Sequence, residues 1–297
     1  NAFPVNEVSE LTPDDFRLTV DEGASAVERE EVDAIEDRNL VGADGQDLPI
    51  RVYRPEGVQS PAPVTVFFHG GGWVVGGLVS HDAECRAIAN ETKTVLIAVA
   101  YRLAPEYPFP AAPEDCYTAL CQIVDLSGEL NIDTERLAVM GDSAGGNLAT
   151  VVCLMSRDRG GPKICHQLLI YPACDIDPER WPSTKENASG YLLTDEMMRW
   201  FYRHYVGAEI FVDEPYASPI RANDLSGLPS AQIITAEFDP LRDEGEGYAQ
   251  ALSDAGVPTY YECVPGLIHG FLGFAEMIPE AKEARNAACQ RLVAALG

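Results

Sequence analysis

The sequence predicts an α/β protein: a mostly parallel, doubly wound central sheet flanked by helices, with a helical cap. Three observations carry this reading. Short apolar runs, several rich in β-branched residues, recur at 64–68, 94–99, 137–140, 167–171, 231–235 and 260–264, each followed by a loop, as strands buried on both faces do. Helix-length stretches lie between them, at 82–90, 113–125, 144–158, 241–255 and 279–296, and such alternation builds parallel sheets. The alternation lapses from about 176 to 223, where polar, Pro-rich sequence surrounds an aromatic stretch, which reads as an insertion.

Taken in order, residues 1–35 precede the first strand without joining the alternation and carry Asp14, Asp15, Asp21 and Glu22; they read as the N-terminal part of the cap. From 37 to 55 two alternating runs flank Ala43-Asp44-Gly45, a hairpin in which Gly45 supplies the positive φ. The catalytic core then has a first part over 36–175 and a second over 226–297, separated by a cap insertion at 176–225. The insertion's helical candidate holds Met197, Met198, Trp200, Phe201, Tyr202 and Tyr205.

Composition narrows the function. With 297 residues, 46% hydrophobic and 23% charged, the chain can bury a full core as an ordinary globular protein. A net charge of -26 argues against nucleic acid, which draws on clustered Lys and Arg. The eight cysteines include no Cys-x-x-Cys pair, and several sit in apolar runs, which suggests free thiols in a reducing, cytoplasmic setting. The chain opens on acidic, amphipathic sequence and contains no apolar run of about 20 residues, so no stable membrane insertion is expected.

The chemistry centres on Gly141-Asp142-Ser143-Ala144-Gly145. Gly-x-Ser-x-Gly between a strand and a helix forces a tight turn that exposes the serine as a nucleophile, and here a strand precedes and a helix follows. Directly after the 64–68 run stands His69-Gly70-Gly71-Gly72-Trp73. Consecutive glycines leave backbone N–H groups open to a substrate oxygen, so Gly71 and Gly72, with Ala144 just after the nucleophile, read as an oxyanion hole. A phosphate cradle is disfavoured, since no Gly-Lys-Ser/Thr follows.

Three histidines follow Ser143: His166, His204 and His269. His269 sits in a Gly-flanked loop before the last helix, where a base following nucleophile and acid belongs. For the acid, Glu237, Asp239, Asp243 and Glu244 compete. Asp239 is preferred because Pro240 suits a first helical turn, leaving the aspartate in the loop, while Asp243 and Glu244 would ride the helix as dipole-favoured acids. No His-Glu-x-x-His occurs; neither a metal nor a cofactor is implied.

Together these motifs resemble the hormone-sensitive-lipase-like (family IV) bacterial esterases of the α/β-hydrolase fold. The resemblance runs from about 63 to the C-terminus and includes Tyr101-Arg102-Leu103-Ala104-Pro105-Glu106, Asp239-Pro240-Leu241-Arg242-Asp243 and His269-Gly270-Phe271. It implies a Ser143–His269–Asp239 triad, oxyanion donors at Gly71, Gly72 and Ala144, an N-terminal contribution to the cap, and a homodimer through the last strand near 260–264. Two positions depart from the family pattern, Ala100 where Asp is frequent and Gly76-Gly77 where Gly-Asp or Gly-Ser is usual, which puts local loop anchoring in question.

The expected activity is hydrolysis of short- to medium-chain carboxylic esters, the partner being a small-molecule ester. A non-catalytic receptor on the same fold is the rival, but no triad member is missing. Trp73, Tyr191, Trp200, Phe201 and Phe211 are candidates for the substrate pocket, although aromatics at helical spacing also serve as core packing.

Overall fold

A computed structural model of the chain describes residues 12–25, 27–207 and 213–297; residues 1–11 of the expected N-terminal cap segment lie outside these. After α1 (Pro13–Ser25) comes the hairpin of β1 (Ala34–Val41) and β2 (Asp47–Arg54), with Gly45 at φ +83° in its turn. Next are β3 (Ala62–Phe68), α2 (Asp82–Thr92), β4 (Val95–Val99), α3 (Ala111–Asp125), α4 (Ser127–Leu130), β5 (Ile132–Asp142), α5 (Ala144–Arg159) and β6 (His166–Ile170). The remainder holds α6 (Pro182–Glu186), α7 (Asp195–Val206), β7 (Ser230–Phe238), α8 (Arg242–Asp254), β8 (Thr259–Ile268) and α9 (Pro279–Leu296).

The strands join in one sheet, in the order β1-β2-β4-β3-β5-β6-β7-β8. Pairing is antiparallel from β1 to β2 and from β2 to β4, and parallel at every other neighbour pair, so the expected mostly parallel sheet is present. β5 starts earlier than its apolar signal at 137–140, because the polar Asp133–Arg136 stretch is recruited by pairing, Ala62 to Ile132 and Pro63 to Asp133, before a register shift. Hydrophobicity alone could not mark that end.

From β3 the chain steps outward to β4 and then returns to the other side of β3 to form β5. A reversal of this kind opens a crevice at the carboxyl ends of the strands. α5 leaves that crevice, and every one of its residues from Ala144 to Ser156 is buried, as in a helix enclosed by the core.

β6 and β7 are parallel neighbours, so residues between them form one long connection, which contains α6 and α7. The N-terminus of α7 is capped by Thr194, whose hydroxyl accepts the Met197 N–H, with Asp195 and Glu196 in the first turn, where the helix dipole favours them. α1 docks on α7: the Phe16 ring lies 5.8 Å from both Trp200 and Phe201. Arg17 ties α1 down, donating to the carbonyls of Val74 (2.8 Å) and Ala104 (2.9 Å) and to the Glu106 carboxylate (2.7 Å). The Tyr101–Glu106 block thereby becomes a mooring for α1.

All eight cysteines are free, and Cys85, Cys116, Cys153, Cys174 and Cys289 are buried. Among the described residues no helix is long and apolar enough to cross a membrane.

Candidate active site

Sheet register brings the motifs together. β3 and β5 are parallel neighbours with Phe68 opposite Gly141, so the loop after Phe68 and the turn after Asp142 leave the sheet side by side. β7 and β8 are likewise parallel, with Phe238 opposite Ile268, which delivers Asp239 and His269 to adjacent positions.

Ser143 occupies the strand-to-helix turn at φ +55°, a conformation that costs a non-glycine residue of order 1–3 kcal/mol. Its N–H is held by the Ile170 carbonyl at 2.9 Å. The turn is this tight because glycine allows it: a Cβ on Gly145 would sit 1.9 Å from the Phe68 carbonyl oxygen, a clash with backbone that no side-chain adjustment relieves.

His269 Nε2 lies 2.9 Å from Ser143 Oγ, and Nδ1 lies 2.8 Å from Asp239 Oδ2. The carboxylate can only accept, so Nδ1 carries the proton and Nε2 is left to accept from the serine hydroxyl. Asp239 is fully buried, and its Oδ1 accepts the Leu241 N–H at 2.8 Å. The other three acids are engaged elsewhere. Glu237 accepts the Gly266 N–H (2.8 Å), Asp243 the Ser183 N–H (2.8 Å) and Glu244 the Cys174 N–H (2.6 Å). Glu244, which shares the first turn of α8, is fully buried, and burial pushes its carboxyl well above the usual range. The other two histidines stand apart. His166 Nδ1 pairs with Ser230 Oγ at 2.8 Å, and the His204 ring packs edge-on against Trp200.

The glycine loop and the nucleophile share one cavity of about 190 Å³, lined by Gly71, Gly72, Ala144, Ser143 and His269. Gly71 has φ +107°, and a Cβ there would lie 2.2 Å from the Val75 carbonyl oxygen. Ala144 opens α5, so its N–H has no acceptor within the helix. The loop is anchored from beneath, the Asp142 carboxylate accepting the Gly70 N–H at 2.8 Å. At the departure noted in the sequence, Gly77 N–H is taken up by Ser80 Oγ at 2.8 Å.

Of the aromatic candidates, Trp73 and Phe201 line the cavity. Phe201 sits directly on the loop, since a Cβ on Gly72 would meet its ring at 2.2 Å. Trp73 is stacked on Tyr205 with centroids 4.1 Å apart. Trp200 is absent from the wall and packs among Phe16, Phe201 and His204, because Met197, Met198, Phe201 and Tyr202 make up the face that α7 turns to the cavity and position 200 of a 3.6-residue helix falls off that face. Tyr191 instead stacks on Phe238 at 5.3 Å. Phe211 lies outside the described residues. Sequence reasoning missed Phe16 and Val20 of α1 and Tyr171 beside His269, all in the lining. The amphipathic start of the chain was the one available signal for α1, while nothing local marked Tyr171. Among the described residues no group of three or more His, Cys, Asp or Glu could hold a metal ion.

The family model for the alpha/beta hydrolase fold matches residues 65–273. The chain belongs to the α/β-hydrolase family. Carboxylesterase NlhH of Mycobacterium tuberculosis is 43% identical over 266 residues, covering 88% of this chain and 83% of that protein. An ethyl acetate hydrolase of Pseudomonas putida is 38% identical over 281 residues, covering 92% and 87%. The crystal structure of a hyperthermophilic esterase from the archaeon Pyrobaculum calidifontis superposes with a TM-score of 0.92 at 39% identity, over 97% of this chain and 93% of that one. The resemblance to hormone-sensitive-lipase-like esterases drawn from the motifs is thus met by carboxylesterases among these α/β-hydrolase relatives.

Proposed function

We propose that this serine carboxylic ester hydrolase of the α/β-hydrolase family cleaves short- to medium-chain esters through Ser143, His269 and Asp239, with Gly71, Gly72 and Ala144 as oxyanion donors. The observation that carries this is the unbroken line from Asp239 through His269 to Ser143 Oγ, at 2.8 and 2.9 Å, opening on an apolar cavity. His269 accepts the serine proton as Oγ attacks the ester carbonyl, and the backbone amides hold the oxyanion. The protonated imidazole then gives that proton to the departing alcohol, leaving an acyl-enzyme. A water, deprotonated by the same nitrogen, releases the acid and restores Ser143.

Two features support the acyl-length reading. A cavity of about 190 Å³ compares with the ~150 Å³ apolar void that accepts benzene, so it suits acyl groups of roughly eight carbons or fewer. The ethyl acetate hydrolase relative carries a short-ester name. Across p-nitrophenyl esters from acetate to palmitate, kcat/KM is expected to peak at or below about eight carbons; a maximum at palmitate overturns the assignment.

The oxyanion role makes its own demand. Gly71→Ala places a methyl group against the Val75 carbonyl and should lower kcat about 10²–10³-fold, the usual effect of losing one donor, with KM little changed. Steady-state kinetics on a butyrate ester decide it, and a kcat within about threefold of wild type would remove Gly71 from the hole.

In this proposal residues 1–35 and 176–225 form a cap over a core of 36–175 and 226–297, supported by Phe16 of α1 and Met197, Met198 and Phe201 of α7 lining the cavity. Its eight free thiols suit a reducing, cytoplasmic setting, and the terminal position of β8 in the sheet leaves an edge on which a second copy could pair.

A further inference from the structure

Next to the glycine loop lies a buried polar cluster to which the proposed reaction assigns no step. Asp142, one residue before the nucleophile, sends Oδ1 to the Gly70 N–H at 2.8 Å. A Cβ on Gly70 would come within 2.3 Å of Oδ2, so this carboxylate lies flat against the loop backbone. His81, at the start of α2, places Nε2 3.6 Å from the same Oδ1 and 3.9 Å from Glu84 Oε2. Its Nδ1 is hydrogen-bonded to Ser80 Oγ at 2.9 Å. The ring also faces His69, with centroids 5.4 Å apart, and Phe67, at 6.0 Å.

A buried carboxylate without a cation is strongly disfavoured, and removing one member of a buried pair leaves the other uncompensated. Here burial would pull the His81 imidazolium down, but Glu84 and Asp142, with the Gly77 carbonyl, hold it up to about 9. Burial pushes Glu84 up to about 7, against the pull of His81 and of Arg285 from α9. Burial and the His81 charge press His69 down to about 3. Around neutral pH His81 is therefore positive, His69 neutral, and Asp142 ionised, held low mainly by His81 against its own burial.

We propose that His81 is a positioning residue whose positive charge pairs with the Asp142 carboxylate and holds it on the Gly70 N–H, and so keeps the amides of Gly71 and Gly72 aimed at the reacting carbonyl. The inference rests on the oxyanion role proposed above. Because the folded-state pKa of His81 is raised, its charge is present below about pH 9 and lost as pH rises through that value. Losing that proton to solvent leaves Asp142 ionised but without its counter-charge, which loosens a grip felt in the transition state and leaves the apolar cavity intact. The effect falls on kcat and spares KM.

The test follows kcat and KM for a p-nitrophenyl butyrate from about pH 6 to about pH 10 in the full chain, as wild type, His81→Gln and Asp142→Asn, each checked by stoichiometric labelling with a fluorophosphonate. Wild-type kcat should fall on an alkaline limb centred near pH 9 at constant KM. His81→Gln should lower kcat at neutral pH roughly 10- to 100-fold, the range for a misaimed catalytic group, and lose the limb. Asp142→Asn still offers an oxygen to Gly70 but needs no cation, so its limb should vanish too. A wild-type profile without the limb overturns the inference. A limb that survives in Asp142→Asn does so as well, and this arm decides the matter if His81→Gln does not fold. If wild type is not labelled at Ser143, the catalytic reading itself fails; labelling with unchanged profiles defeats only the role of His81.

Discussion

Ser143→Ala should lower kcat for a short-chain ester by about 10⁵–10⁶-fold, on the scale seen when a hydrolase nucleophile is removed, and abolish fluorophosphonate labelling. The loss should be confined to chemistry. The Ser143 N–H is held by Ile170 and the turn is shaped by Gly145 against Phe68, neither of which involves the hydroxyl, so the thermal midpoint should move by no more than a few degrees. His269 would keep its bond to Asp239 but have no proton to accept. Retention of more than about a thousandth of wild-type kcat in purified protein would exclude Ser143 as the nucleophile.

Asp239→Asn ranks second, with a loss of about 10⁴-fold in kcat. The fully buried carboxylate accepts from Leu241 N–H through Oδ1 and from His269 through Oδ2. An asparagine must keep its oxygen on Leu241, because an amide group there would set donor against donor. Its NH₂ then faces Nδ1 of His269, which has to become the acceptor, and the ring proton moves to Nε2. That nitrogen, 2.9 Å from Ser143 Oγ, can no longer take the serine proton. KM should hold, since the cavity is unchanged, and ¹⁵N NMR of the imidazole should report the exchanged tautomer. A variant keeping a tenth of wild-type kcat would reopen the choice among Glu237, Asp243 and Glu244.

That choice marks the limit of what was legible in the sequence. The four acids stand within eight residues, and their local chemistry differs only in which of them begins a helix. Long-range pairing separates them: Phe238 opposite Ile268 places the residue after β7 beside His269, while Ser183, Gly266 and Cys174, all distant in the chain, occupy the other three. The lining of the cavity shows the same division. Aromatic residues at 200, 201 and 202 are equivalent by composition, yet the way α7 is laid over the core puts Phe201 on the glycine loop and leaves Trp200 packed against Phe16 and His204.

Short-range sterics encode the alternating buried strands and helices, the strained serine turn that only flanking glycines permit, the open amides of the Gly triplet, and a histidine in a late loop. These need neighbours of a few residues, so their spacing is visible along the chain. Long-range packing fixes which carboxylate meets His269, which side chains wall the cavity, that Arg17 moors α1 to the Tyr101–Glu106 block, and that His81 stands 3.6 Å from the carboxylate gripping the glycine loop. Each depends on strand register or on burial of one element against another, and neither quantity is a property of a local stretch of sequence.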